Sequence, residues 1–179
     1  MGEPVDDLVA LFTLDQLDTD VFTGRTLEND ELPRIFGGQV AAQALAAAGR
    51  TVGADRPVHS LHAYFLDSGL TDKPVTYTVE RLRDGRSFSH RQVTARQGDR
   101  QLLRLMCAFH VPEPGYSHSA PMPAVPAPDA LPSVVDELRA RLGDELPPLE
   151  RQRAFEMRYV DRLAWTPQEF EGLEPVTRM

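Results

Sequence analysis

The sequence predicts an α+β domain in which a curved antiparallel sheet wraps around one central helix. Three observations carry that expectation. The run Ala41-Ala42-Gln43-Ala44-Leu45-Ala46-Ala47-Ala48 marks a helix from about Gly38 to Gly49, because alanine is the best helix former. Directly after it the apolar period falls to two, and stays there from Val58 to Val111. From Pro112 to Pro132 the chain carries seven prolines, a density that forbids helix interiors and central strands.

Taken in order, Val5 to Leu14 carries apolar groups at Val5, Leu8, Val9, Leu11 and Phe12 with acids in its first turn, the pattern of a short amphipathic helix. Val21-Phe22 reads as a brief edge strand. The alanine helix is thin, so another layer can approach its axis closely, and Gly49 is placed to cap its end. Val58 to Leu66 (VHSLHAYFL) is a strand, and Val75, Tyr77 and Val79 alternate with Thr76, Thr78 and Glu80 in the next. Asp84-Gly85 signals a hairpin, Phe88 to Arg96 follows, and Gly98-Asp99 makes a second two-residue turn. Leu103, Leu105, Cys107, Phe109 and Val111 then share one face, with Arg104 and His110 on the other. The whole reads as a continuous antiparallel meander with one apolar face. Beyond the prolines, Ser133 to Leu142 is a short helix with Ser133 as its N-cap, and Phe155, Met157 and Tyr159 alternate like a strand. The expected organisation is a domain over residues 1–111, a proline-rich linker with a short helix over 112–150, and the start of a second, truncated domain over 151–179.

Composition narrows the function. With 179 residues, 41% of them hydrophobic, the chain suffices for one domain with a sizeable core and not for two. A formal net charge of −8 is the wrong balance for a nucleic-acid binder, which needs clustered lysine and arginine. The run Arg81, Arg83, Arg86, Arg91 is a local exception. It suits either the phosphates of a nucleotide-like carrier or a solvated strand face balancing an acidic protein. No stretch approaches the ~20 apolar residues of a membrane helix, and the start lacks the shape of a signal peptide. The single cysteine, Cys107, forms no internal disulfide. These features lead us to expect a soluble, cytoplasmic protein without a membrane partner.

Four segments carry a resemblance. Phe36-Gly37-Gly38-Gln39-Val40-Ala41-Ala42-Gln43-Ala44-Leu45 resembles the FGGQxxxQAL helix start of the acyl-CoA thioesterase II (TesB-type) family. Val58 to Leu66, Arg83-Asp84-Gly85-Arg86-Ser87-Phe88-Ser89, and the linker residues Met122-Pro123, Ala127-Pro128-Asp129 and Leu131-Pro132 resemble that family too, in the same order. The resemblance runs from about Leu8 to Met179. It implies the hotdog fold, here the first half of a double hotdog, and hydrolysis of fatty acyl-CoA to free fatty acid and CoA within lipid metabolism. It implies no cofactor. In the family the catalytic aspartate, threonine and glutamine lie in the second hotdog. This chain stops at Val176-Thr177-Arg178-Met179, and no residue here matches those three, so none is carried over. The expected partners are acyl-CoA and a second hotdog unit, from the missing half or from a homodimer. Two alternatives stand beside this one: a binding or scaffold half of a split protein, and a self-sufficient homodimeric hydrolase or hydratase. Hydratases of this fold typically place an Asp/His pair where Gly37-Gly38-Gln39 stand, which weakens the last.

Thioester hydrolysis needs an activated water and a group that stabilises the oxyanion. A helix start offers free backbone N–H groups and a positive dipole end. Gly38 and Gln39 therefore border the expected thioester site, unless the glycines serve only tight packing at the helix start. His59 is the best-placed titratable group for orienting water or holding an acyl carrier, or else a hydrogen-bonded structural histidine. In a regular strand His59 and His62 face opposite ways, which argues against a shared metal. Asp84 reads as a turn residue, Cys107 as inert packing, and Ser60, Ser87 and Ser89 lack nucleophile-elbow spacing.

Overall fold

A helix with almost no side-chain bulk lets a sheet lie close along its axis, and the first unit rests on that fit. In the computed structural model, which describes residues 4–26, 33–143 and 155–160, the chain divides into two units, Met1–Ser117 and His118–Met179. The first unit runs α1 (Pro4–Leu11), β1 (Asp15–Asp18), β2 (Val21–Gly24), α2 (Gly37–Gly49), β3 (Val58–Phe65), β4 (Val75–Asp84), β5 (Phe88–Gln97) and β6 (Arg100–His110). Helix α2 buries Val40, Gln43, Ala44, Ala47 and Ala48, one stripe at helical spacing. Against it pack Tyr77 and Val79 of β4, Val93 and Ala95 of β5, and Leu103, Leu105 and Cys107 of β6. This is the hotdog arrangement that the sequence predicts.

The sheet has six strands in the order β1-β2-β4-β5-β6-β3, each pair antiparallel. Strands β4 to β6 form the expected meander, but β3 lies outside β6 and not beside β4. Alternation fixes which face of a strand is buried and leaves its neighbour open. Val21-Phe22 is likewise not at the edge: β2 sits between β1 and β4. The edge is β1, four residues with an aspartate at each end, a short charged strand that resists further pairing.

Element ends differ from expectation for local reasons. Helix α1 stops at Leu11, and Leu14 enters the core from extended chain beyond it. Gly49 is the last residue of α2, and Arg50 caps it in ordinary right-handed geometry, its N–H donating to Ala46 O at 3.2 Å. The β4–β5 connection is a three-residue loop, Gly85-Arg86-Ser87, closed by Gly85 N–H donating to Phe88 O at 2.7 Å. The Gly98-Asp99 turn forms as read, with Gly98 at a φ of 57° that favours glycine.

Two buried polar groups bind these layers together. The Gln43 amide donates to Leu11 O (2.7 Å) and Arg25 O (2.9 Å) and accepts from the Tyr77 hydroxyl (2.6 Å). It ties the end of α1 and the chain after β2 to the helix and to β4, and burial pushes the Tyr77 phenol up. Arg91 is 1% exposed, and its guanidinium uses every donor. Nε donates to Thr51 Oγ1 (2.7 Å), Nη1 to the carbonyls of Arg83 (3.2 Å) and His90 (2.9 Å), and Nη2 to Thr51 O (3.0 Å) and Asp84 Oδ1 (2.7 Å). The clamp fastens the chain after α2 to the β4–β5 hairpin.

Residues 112–127, which end the first unit and begin the second, hold no helix or strand, as their prolines require. Helix α3 (Val134–Leu142) starts at Ser133, whose Oγ accepts from Asp136 N–H at 3.1 Å. The expected strand at Phe155, Met157 and Tyr159 does not form: Met157 and Tyr159 pack on Val134 and Leu138 of α3, and Met157 O accepts from Val134 N–H at 2.8 Å. The rest of 151–179, where a second domain was expected, lies outside the described residues.

Two outcomes follow. Arg91→Met strands the Thr51 and Asp84 acceptors and lowers stability by about 3 kcal/mol, measured by urea unfolding. Arg91, and after it Ser89, holds the Asp84 carboxyl below the usual carboxylate range. A depressed folded-state value stabilises the fold above the ordinary range, and that contribution is lost as pH falls through the lower value. Asp84→Asn therefore shows a shallower loss of stability than the parent below about pH 4.

Candidate functional site

Helix α2 begins without a side-chain cap. Phe36 occupies the capping position in extended geometry and makes no side-chain cap hydrogen bond. The first turn's backbone N–H groups thus lack the acceptor that a serine or aspartate would supply. Beside this start lies an open hollow of about 380 Å³, lined by Ile35, Gly37 and Val40 on one side and by Phe65 to Gly69 and Leu102 on the other. Gly37 packs closely here: a Cβ would stand 3.0 Å from the Phe65 ring, which would have to shift slightly.

The segment leaving β3 is held firmly. Leu66 N–H donates to Leu102 O at 2.9 Å, and the buried Gln97 amide accepts from Leu70 N–H (2.8 Å) while donating to Leu70 O (2.8 Å) and Lys73 O (2.7 Å). Among the described residues Asp67 is the only titratable side chain of the lining. Arg100 grips it through Nε (3.0 Å to Oδ2) and Nη2 (2.8 Å to Oδ1), and Ser68 N–H donates to it at 2.7 Å. Arg100 first and Ser68 second hold its carboxyl below the usual carboxylate range, which makes it a weak base. The hollow therefore pairs an apolar wall with a dipole-positive helix start, suited to an apolar tail ending in a carbonyl.

The residues singled out from sequence do not all converge here. Gly38 lies at the helix start next to Gly37. Gln39 turns back toward the chain after β2, its amide 3.4 Å from Arg25 O. His59 stands at the far end of β3, six residues and about 20 Å of strand from Phe65. A bulge between Val58 and Ser60 overturns the expectation that His59 and His62 face opposite ways. Both lie on the outer face, away from α2: His59 meets Phe88 (5.7 Å) and His110 (5.9 Å), and His62 meets Tyr64 (4.9 Å). Among the described residues no group of three or more His, Cys, Asp or Glu could hold a metal ion. The arginine run splits as well: Arg91 is the internal clamp, and Arg81 pairs with Asp20 through bonds of 2.7 and 2.8 Å. Cys107 is buried, and burial pushes its thiol up to about 11, as inert packing requires. Sequence reading passed over Phe65 and Asp67, because Asp67-Ser68-Gly69 after a strand carries only the signal of a turn.

Comparison with known proteins bears on the family and the fold. Residues 29–110 match the family model described as the acyl-CoA thioesterase N-terminal domain. Over 175 residues the chain is 36% identical to acyl-CoA thioesterase 2 of Haemophilus influenzae, covering 96% of this chain and 60% of that one. The tesB protein of Mycobacterium avium subsp. paratuberculosis superposes with a TM-score of 0.66 at 39% identity, over 71% of this chain and 50% of that one. The acyl-CoA thioesterase II TesB2 of Mycobacterium marinum gives 0.64 and 39%, over 73% and 48%. The chain thus spans 60% or less of the length of each of these three.

A Cβ added at Gly38 would meet only the Phe36 ring, which is 79% exposed and free to turn aside. Gly38→Ala therefore keeps stability within about 1 kcal/mol of the parent, read by thermal melting, and a much larger loss means that the glycine serves packing.

Proposed function

Since the chain carries the N-terminal domain of the acyl-CoA thioesterase II (TesB-type) family, we propose that the protein hydrolyses fatty acyl-CoA to free fatty acid and CoA. In this reading the chain is the substrate-holding, non-catalytic half, completed by a second hotdog unit paired along β3. The observation that carries it is the state of that strand. Strand β3 is an eight-residue edge with exposed side chains on both faces, among them Leu61 (51%), Tyr64 (66%) and Phe65 (59%). An apolar edge of this length is a template for another strand, whereas the short acidic edge at β1 is not. Phe65 also lines the hollow at the start of α2, so a unit docked on β3 brings its own groups to that hollow.

Gly37 lines the hollow in this arrangement, with Gly38 and Gln39 beside it in the first turn, and the helix start meets the oxyanion. The lining supplies no general base of its own, because Asp67 is committed to Arg100. His59 is too far along β3 to serve the same hollow. The compartment we assign is the cytoplasm, in fatty-acid metabolism; among the described residues no helix is long and apolar enough to cross a membrane.

Thiol release from a panel of acyl-CoAs tests the reading. The 179-residue chain alone releases no CoA above background, and adding a second hotdog unit that carries the family's catalytic groups restores release. Robust release by the chain alone, lost in Asp67→Asn or Gln39→Ala, overturns it in favour of a self-sufficient homodimer.

A further inference from the structure

The outer face of the sheet holds two adjoining hollows that thioester hydrolysis does not use. One, of about 470 Å³, lies over β3, β5 and β6 against His59, His62, Phe88, His90, Met106 and Ala108. The other, of about 330 Å³, lies at the β4–β5 loop, where Arg83, Arg86 and Glu113 join the same Phe88 and His90. Phe88 and His90 are thus the wall shared by an aromatic, apolar space and a cationic one. The Phe88 ring is 42% exposed and is braced by imidazoles from three strands: His110 at 4.2 Å, His59 at 5.7 Å and edge-on, and His90 at 6.2 Å and nearly parallel. Only the bulge in β3 brings His59 to this face.

The charges divide in a way that matters. Within the run 81–91, Arg81 is committed to Asp20 and Arg91 to Asp84. Arg83 and Arg86 form no ion pair among the described residues, although the chain carries a formal net charge of −8. Glu113, the one carboxylate of the lining among the described residues, stands 3.7 Å from His110. Two uncommitted guanidinium groups next to an exposed ring suit a ligand with a phosphate at one end and a flat base at the other.

We propose that these hollows form a binding site for a nucleotide, its base against Phe88 and its phosphate between Arg83 and Arg86. The site is separate from the hollow at the start of α2, on the other face of the sheet and toward the other end of β3. It stands whether or not the chain takes part in thioester hydrolysis. The same chemistry is offered by a free nucleotide and by the nucleotide end of CoA.

Titration of the 179-residue chain with ADP, adenosine 3′,5′-bisphosphate, adenosine and inorganic phosphate decides the matter, read by calorimetry and by the histidine ring signals in NMR. Both nucleotides bind more tightly than adenosine or phosphate alone, and they shift His59, His90 and His110. The double variant Arg83→Gln/Arg86→Gln and the single variant Phe88→Ala, both at exposed positions, each weaken binding by about tenfold. Preference for the bisphosphate assigns the site to CoA, and preference for ADP assigns it to a free nucleotide. Three results overturn the proposal: no binding of either nucleotide, phosphate binding as tightly as the nucleotides, or affinity unchanged in variants that melt like the parent.

Discussion

Ala44, Ala47 and Ala48 have no accessible surface, and the sheet can reach them only because they present a single methyl group each. Val93, Ala95, Leu103 and Leu105, all fully buried, close on that stripe from the strands. Much of the rest follows from this contact. A bulkier residue on the stripe would push the sheet outward and strain rotamers on both sides. A helix of 13 residues with so little girth also covers only the middle of a six-stranded sheet. The strands beneath it are buried on alternate residues, while β3 is left exposed on both faces.

Small side chains make few contacts of their own, and polar clamps supplement them. Gln43 sits in the middle of the alanine stripe, and its amide donates to the chain before and after the first two strands and accepts from Tyr77 of β4. Arg91 does the same at the other end of the helix, with half-exposed Asp84 as its counter-charge. Both groups are satisfied at every polar atom that the geometry lets them use, the condition for a buried polar group to hold a core together and not weaken it.

The two faces of the sheet differ in chemistry as a result. The inner face carries the core and, at the start of α2, a hollow with an apolar wall beside a helix start that has no side-chain cap. The outer face carries four of the five histidines, with Phe88 among them and two uncommitted arginines at the hairpin. The β3 strand belongs to both faces, and one bulge in it decides which side receives His59.

Much of this was legible in the chain alone. Alanine content placed α2, the period of two placed β4 to β6, Gly98 placed its turn, and Ser133 placed the start of α3, because each rests on local conformational preference or on which face is buried. Local preference says nothing about partners far along the chain. That β3 lies beside β6, that a bulge turns His59 outward, that Gln43 locks the first helix and that Asp67 is held by Arg100 were all decided by the tertiary structure. Strand order, register and side-chain pairing are settled only when distant segments compete for the same neighbour.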